Sequence, residues 1–192
     1  MTTPSTIDRH RPVPNGVAPT ERRRQIVEAA LTILEREGGS ALTMRRLAAA
    51  LGIKASSLYK HFPDKEAVEL ELIALGFRDV AERFERAVRR DRRRPVRAVA
   101  ATYRAFAHER PHLYRLMNER PLQRERLPEG LEARAAAPLL EATGSRALAR
   151  AAWAMAHGLV MLELNGRFPP DADVDAAWAV GVTAIERAAD GG

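Results

Sequence analysis

Cysteine is absent from the 192-residue chain, which excludes disulfide bonds and thiolate-held metals. No uninterrupted apolar run approaches the roughly 18–20 residues that cross a bilayer. The first residues lack the apolar core of a signal peptide. A soluble, cytoplasmic protein with no membrane partner is therefore expected. Gly-x-Ser-x-Gly, P-loop and dinucleotide fingerprints are missing too. His157 shares a helical stripe with Trp153, yet no second histidine or carboxylate stands at a metal-ligand spacing from it, and Glu163 falls off that stripe. No catalytic residue, metal or cofactor is expected, and the chain does not read as an enzyme.

What the chain has in excess is positive charge, and its placement is uneven. The net charge is +6; residues 1–94 hold 19 Lys and Arg against 13 Asp and Glu, and residues 95–192 hold 12 against 12. An excess confined to one half suits a phosphate partner. Arginines that merely solvate helix faces would give the same composition.

That half contains the most informative stretch, Thr43 to Phe62. Thr43 suits a helix N-cap. Met44, Leu47, Ala48 and Leu51 recur on one face. Gly52 follows, where a left-handed residue closes a helix without a Cβ clash. A second helix of about two turns is expected to carry Leu58 and Phe62 on its inner side. Its outer face presents Lys54, Ala55, Ser56, Ser57, Tyr59, Lys60 and His61, with no carboxylate among them. Two short helices with this turn form a helix-turn-helix whose second helix fits a DNA major groove. Short side chains at Ala55, Ser56 and Ser57 let the backbone approach closely, and Ala55 suits a thymine methyl. Lys65 opens the next helix, where its charge and the free backbone N–H groups act on one phosphate together.

The stretch resembles the DNA-binding domain of the TetR/AcrR family of transcriptional regulators, from about Thr20 to Leu72. The likeness rests on Ile26, Ala29, Ala30 and Leu34, on Thr43, Leu47, Ala48 and Leu51-Gly52-Ile53, and on Leu58-Tyr59-Lys60-His61-Phe62 with Lys65-Glu66. The resemblance implies phosphate contacts from Thr43, Tyr59 and His61, a base-reading position at Arg45, and a base or phosphate contact at Lys60. An arginine at position 45 would bridge guanine O6 and N7.

Around the motif the expected layout is a disordered arm over 1–19, a DNA-binding domain over 20–66, a connecting helix over 67–94 and a second domain over 95–190. In the arm, Arg9 and Arg11 are placed to reach a minor groove. Arg22, Arg23 and Arg24 crowd the first turn of the first helix, where the dipole disfavours cations. A DNA phosphate, Glu21 or Glu28 would compensate them. The connecting helix, Lys65 to about Arg90, ends in Arg89, Arg90, Arg92, Arg93 and Arg94, which read as a solvated helix end and loop. In the family this helix sets the separation of the two recognition helices. Beyond it, the pattern gives helices over Val96–Arg110, His112–Met117, Glu129–Ala142 (kinked or interrupted at Pro138), Arg146–Asn165 and Val174–Ala189. The fold class is all-α, with about nine helices.

The second domain looks like the C-terminal domain of a TetR subgroup marked by Trp, His and Gly, here Trp153, His157 and Gly158. The likeness implies a ligand-binding and dimerisation domain. Its apolar pocket would be lined by Tyr103, Phe106, Tyr114, Met117, Trp153 and His157 and would take a hydrophobic or weakly polar effector of unknown identity. For any one of these residues plain core is an equal reading. Two copies would pair through the last two helices, whose Ala147, Ala151, Ala154, Gly158, Ala177, Gly181 and Ala184 permit close approach. The chain then reads as a ligand-responsive repressor that binds a palindromic site on double-stranded DNA as a homodimer. The alternatives are a sequence-independent architectural DNA binder and a small helical enzyme.

Overall fold

The computed structural model describes residues 19–191, so the arm with Arg9 and Arg11 lies outside the described residues apart from Pro19. Among them are nine α-helices, one short 3-10 helix and no strand. The chain divides into two compact units, the first ending at Val68 and the second beginning at Glu69.

The first unit contains α1 (Pro19–Glu37), α2 (Met44–Ala50), α3 (Ala55–Leu58) and the start of α4 (Lys65–Arg90). Ile26, Ala30, Ile33 and Leu34 bury one stripe of α1. Gly38, at φ 83°, closes it. Thr43 accepts a hydrogen bond from the Arg46 amide at 3.1 Å and so caps α2. Gly52 has φ 64°, and nothing lies within 4 Å of a Cβ built there. Backbone torsion, and not crowding, is what this turn asks of it. The amide of Ile53 then returns to the Ala48 carbonyl at 3.1 Å.

The recognition helix is shorter than its apolar spacing predicts. α3 is one turn, and the His61 and Phe62 amides both bond the Leu58 carbonyl, at 2.8 and 2.9 Å. Pro63 disfavours helical torsions at Phe62, so the chain turns away there. Leu58 and Phe62 are still both fully buried.

The second unit contains the remainder of α4, then α5 (Pro95–Glu109), α6 (Pro111–Asn118), a 3-10 turn at Arg124–Arg126, α7 (Leu131–Thr143), α8 (Arg146–Leu164) and α9 (Val174–Asp190). Pro95 and Pro111 open their helices, where the missing N–H costs nothing. Ser145 and Asp173 cap α8 and α9 by accepting from the Leu148 and Ala176 amides. α5 packs against α6, α7, α8 and α9 and buries Val99, Tyr103 and Phe106. Of the kink or interruption expected at Pro138, the interruption does not occur, and α7 is continuous from Leu131 to Thr143. One lost backbone bond is offset by burial of Leu131, Ala135 and Pro138 on a single face.

Two glycines mark close approaches. A Cβ on Gly76 would overlap Met117, and one on Gly181 would lie 2.7 Å from the Met155 sulfur. Gly181 thus packs inward between α9 and α8, which removes it from the exposed face expected of it, and Ala177 is half-buried. The exposed apolar row on α9 is Ala176, Val180 and Ala184. On α8, Ala147, Ala151, Ala154 and Leu162 are exposed, and the place of a Gly158 side chain is open. No described helix is long and apolar enough to cross a membrane.

Candidate DNA-binding face and polar aromatic chain

In the first unit the buried Leu58 and Phe62 fix the roll of the recognition segment, so the opposite side chains face outward. Lys54, Ala55, Ser56, Tyr59 and Lys60 are exposed; Ser57 and His61 are half-buried. Tyr59 is 54% exposed, a large aromatic with its hydroxyl available to an acceptor. Thr43 and Arg45 are exposed at the start of α2. The Thr43 hydroxyl oxygen is occupied by the cap, and its proton remains for a second partner.

Several of the basic groups near this face are already engaged. Arg46 forms a fork with Glu37, at 3.2 and 2.6 Å. Arg24 falls in the second turn of α1, because the helix begins at Pro19, and meets both Glu21 and Glu28. Arg23 turns inward: it donates to the His61 carbonyl, and its guanidinium lies 4.2 Å from the Phe62 ring centre. Lys65 donates to the Gly39 carbonyl at 3.1 Å, while Asp64 caps the Ala67 amide at 2.8 Å. The start of α4 is therefore partly satisfied from within.

The second unit brings together four of the six residues expected in an effector pocket. Tyr103 and Tyr114 lie with their hydroxyls 2.9 Å apart, and the Tyr114 hydroxyl is 2.7 Å from His157 Nδ1. The Trp153 and His157 ring centres lie 6.3 Å apart, so the indole stands beside the outer end of this chain. Each phenol hydroxyl can donate or accept, and the His157 tautomer sets the direction of the chain. Burial pushes both phenols above their ordinary range and pulls His157 below its own. Tyr103, Tyr114 and Phe106 are buried, whereas Trp153 is 52% exposed and forms the outer end of the cluster. Phe106 lies instead beneath the Arg83 guanidinium, and Met117 against Gly76. These side chains pack on one another; a cleft lined by Glu85, Val88, Arg89, Arg134, Ala137, Pro138 and Glu141 lies elsewhere in the unit.

Sequence reasoning missed Glu163. Its carboxylate accepts from Trp178 Nε1 at 2.6 Å and from Arg104 at 3.0 and 2.8 Å, and lies 3.1 Å from His108 Nε2. Burial alone pushes this carboxyl up. The Trp178 and Arg104 bonds, the Arg104 charge and the His108 contact outweigh it and hold the group below its ordinary value. Arg104 also reaches Asp175, so one carboxylate ties α5, α8 and α9 together. Three partners on helices distant in sequence leave no local signal, and only a carboxylate amid apolar helix positions marked the site.

A one-turn recognition helix on a three-helix support, followed by an all-helical second unit, defines a helix-turn-helix transcription regulator. Residues 26–72 match the family described as bacterial regulatory proteins, tetR family, and residues 96–185 match the tetracyclin repressor-like C-terminal domain. The uncharacterized HTH-type transcriptional regulator Rv0681 of Mycobacterium tuberculosis is 35% identical over 81% of this chain and 76% of its own length. The nucleoid occlusion factor SlmA of Vibrio vulnificus is 32% identical over 57% of this chain, which spans 58% of that protein. A TetR variant from Acinetobacter baumannii, in complex with minocycline, shares the fold, with a TM-score of 0.58 and 22% identity over 86% of this chain and 93% of that one. The chain belongs to the tetR family of transcriptional regulators.

Proposed function

We propose that this regulator is a ligand-responsive repressor without enzymatic activity, which binds an inverted-repeat operator as a homodimer. The observation that carries the proposal is the outer face of the recognition segment. Lys54, Ala55, Ser56, Tyr59 and Lys60 stand exposed over the buried Leu58 and Phe62, without a carboxylate. Ser56 and Ser57 with Lys54 and Ala55 enter the major groove, Arg45 reads a guanine edge, and Lys60 touches base or phosphate. Thr43, Tyr59, His61 and Lys65 grip phosphates.

Pairing takes place through α8 and α9, whose exposed Ala147, Ala151, Ala154, Leu162, Ala176, Val180 and Ala184 form apolar rows. A two-fold pair presents two recognition segments to successive grooves. The effector enters at the Trp153 end of the polar aromatic chain and displaces packing among Tyr103, Tyr114 and His157, with Phe106 and Met117 behind. A hydrophobic or weakly polar molecule with one hydrogen-bonding group fits that lining. α4 begins in the DNA-binding unit and continues into the other, so it carries the shift in population that releases DNA.

The test is binding of the purified protein to DNA upstream of its own gene across a salt series, beside random DNA. A short palindromic footprint, lost in Tyr59→Ala and weakened in Lys65→Ala, is expected. Equal affinity for random DNA would point to an architectural binder. Absence of binding at low salt by protein stripped of bound small molecules would overturn the DNA-centred reading.

A further inference from the structure

Most of the basic surplus does not sit on the recognition segment. Residues 86–94 contain six arginines and one aspartate, a denser excess than anywhere else in the chain. They form the last turn of α4 and the loop to α5. Arg89, Arg90, Arg92, Arg93 and Arg94 are all exposed. Asp91, the loop's one carboxylate, is turned onto the Arg94 amide at 3.1 Å. Among the described residues no carboxylate pairs with Arg90, Arg92, Arg93 or Arg94, and Arg89 forms no ion pair, sharing a cleft with Glu141 and with Glu85, itself bridged to Arg134.

We propose that this arginine cluster is a second, sequence-independent site for the phosphate backbone of double-stranded DNA, separate from the recognition segment. Uncompensated exposed charge of one sign calls for a polyanion. The chemistry around the cluster selects among polyanions. A protein partner needs a core of apolar or aromatic contact, and single-stranded nucleic acid needs aromatic rings to stack its bases. Neither is present: Val96 is buried, Ala87 and Val88 are half-buried, and the exposed large apolar side chains, Tyr59, Trp153, Leu162 and Val180, all lie outside residues 86–97. A polybasic membrane site gains stable hold from an added apolar anchor, and none is exposed here. What remains is a ladder of phosphates met by charge alone. The inference does not depend on the operator reading, because it concerns binding to random sequence.

The experiment compares three full-length proteins on a random duplex across a salt series: wild type, a variant with Arg89, Arg90, Arg92, Arg93 and Arg94 all changed to Ser, and Tyr59→Ala. The serine variant is expected to bind at least about tenfold more weakly at low salt, with a log K against log salt slope shallower by about 2 or more. Tyr59→Ala, which removes an uncharged phosphate contact of the recognition segment, should weaken binding to operator and random duplex alike and leave the salt slope close to that of the wild type. Arg92→Glu with Arg93→Glu, confined to the loop, repeats the test without touching a helix. Unchanged affinity and slope in both cluster variants overturns the site. Equal capture of polyglutamate or phosphatidylglycerol vesicles by the wild type, lost in parallel, overturns its assignment to DNA. Operator preference is read from the operator-to-random ratio, so the two readings fail separately.

Discussion

The Tyr114 hydroxyl stands between the Tyr103 hydroxyl and His157 Nδ1 and serves both. Tyr114→Phe keeps the ring and removes the bridge, leaving a buried phenol and an imidazole nitrogen without their partner. A loss of about 1–2 kcal/mol is expected, read by chemical denaturation at neutral pH.

Burial of His157 sets a pH response. Burial holds His157 neutral in the folded protein at pH values where the unfolded chain already takes up a proton, below about 6.5. The unfolded state then binds more protons, so stability falls as pH drops from about 6.5 towards the folded-state pKa. Protonated, His157 can only donate to Tyr114, which fixes the direction of the chain. His157→Gln should flatten the wild-type stability profile between pH 7.5 and 5.5 (roughly the window the ordinary histidine value sets).

Glu163→Gln preserves an acceptor for Trp178 but sets an amide against the Arg104 guanidinium. A loss of about 1–3 kcal/mol is expected at neutral pH, with part of the Arg104 attraction screened by solvent. Because Glu163 is held below its ordinary value, its contribution is present above about pH 4.3 and disappears as pH falls through the folded-state pKa. Denaturation curves of the two proteins should converge in acid.

Gly181→Ala forces Met155 out of its place between α8 and α9. The expected cost is about 1–3 kcal/mol. Met155→Ala in the same chain should recover part of it, giving a coupling in a double-mutant cycle; strict additivity would place the methionine elsewhere.

Val180 is 72% exposed on α9. If α8 and α9 pair two copies, Val180→Glu places a carboxylate in that apolar row and should shift sedimentation from dimer to monomer while leaving far-ultraviolet circular dichroism unchanged.

Much of this architecture is legible in local sequence. The Lys65–Arg90 helix follows from an unbroken apolar stripe, and the start of α8 follows from Gly144-Ser145, which close one helix and cap the next. The recognition helix is harder. Leu58 and Phe62 lie four apart in either a helix or a turn, and the i→i+3 bond from the His61 amide to the Leu58 carbonyl makes the turn here without a local signal. Pro138 misleads in the opposite direction, because tertiary burial overrides a local penalty. The tyrosines and His157 stand out as polar aromatics on apolar faces, but their order in one hydrogen-bonded chain depends on how α5, α6 and α8 meet. Charge totals by halves likewise credit the helix-turn-helix with arginines that lie past it, in residues 86–94.

The chain's two tryptophans occupy opposite environments: Trp153 is 52% exposed, and Trp178 is 6% exposed with its indole nitrogen bonded to Glu163. Intrinsic fluorescence therefore separates into a red-shifted, readily quenched emitter and a shielded one. Iodide or acrylamide should silence the first and spare the second, which gives the unlabelled protein one optical reporter at the proposed effector entrance and another inside its fold.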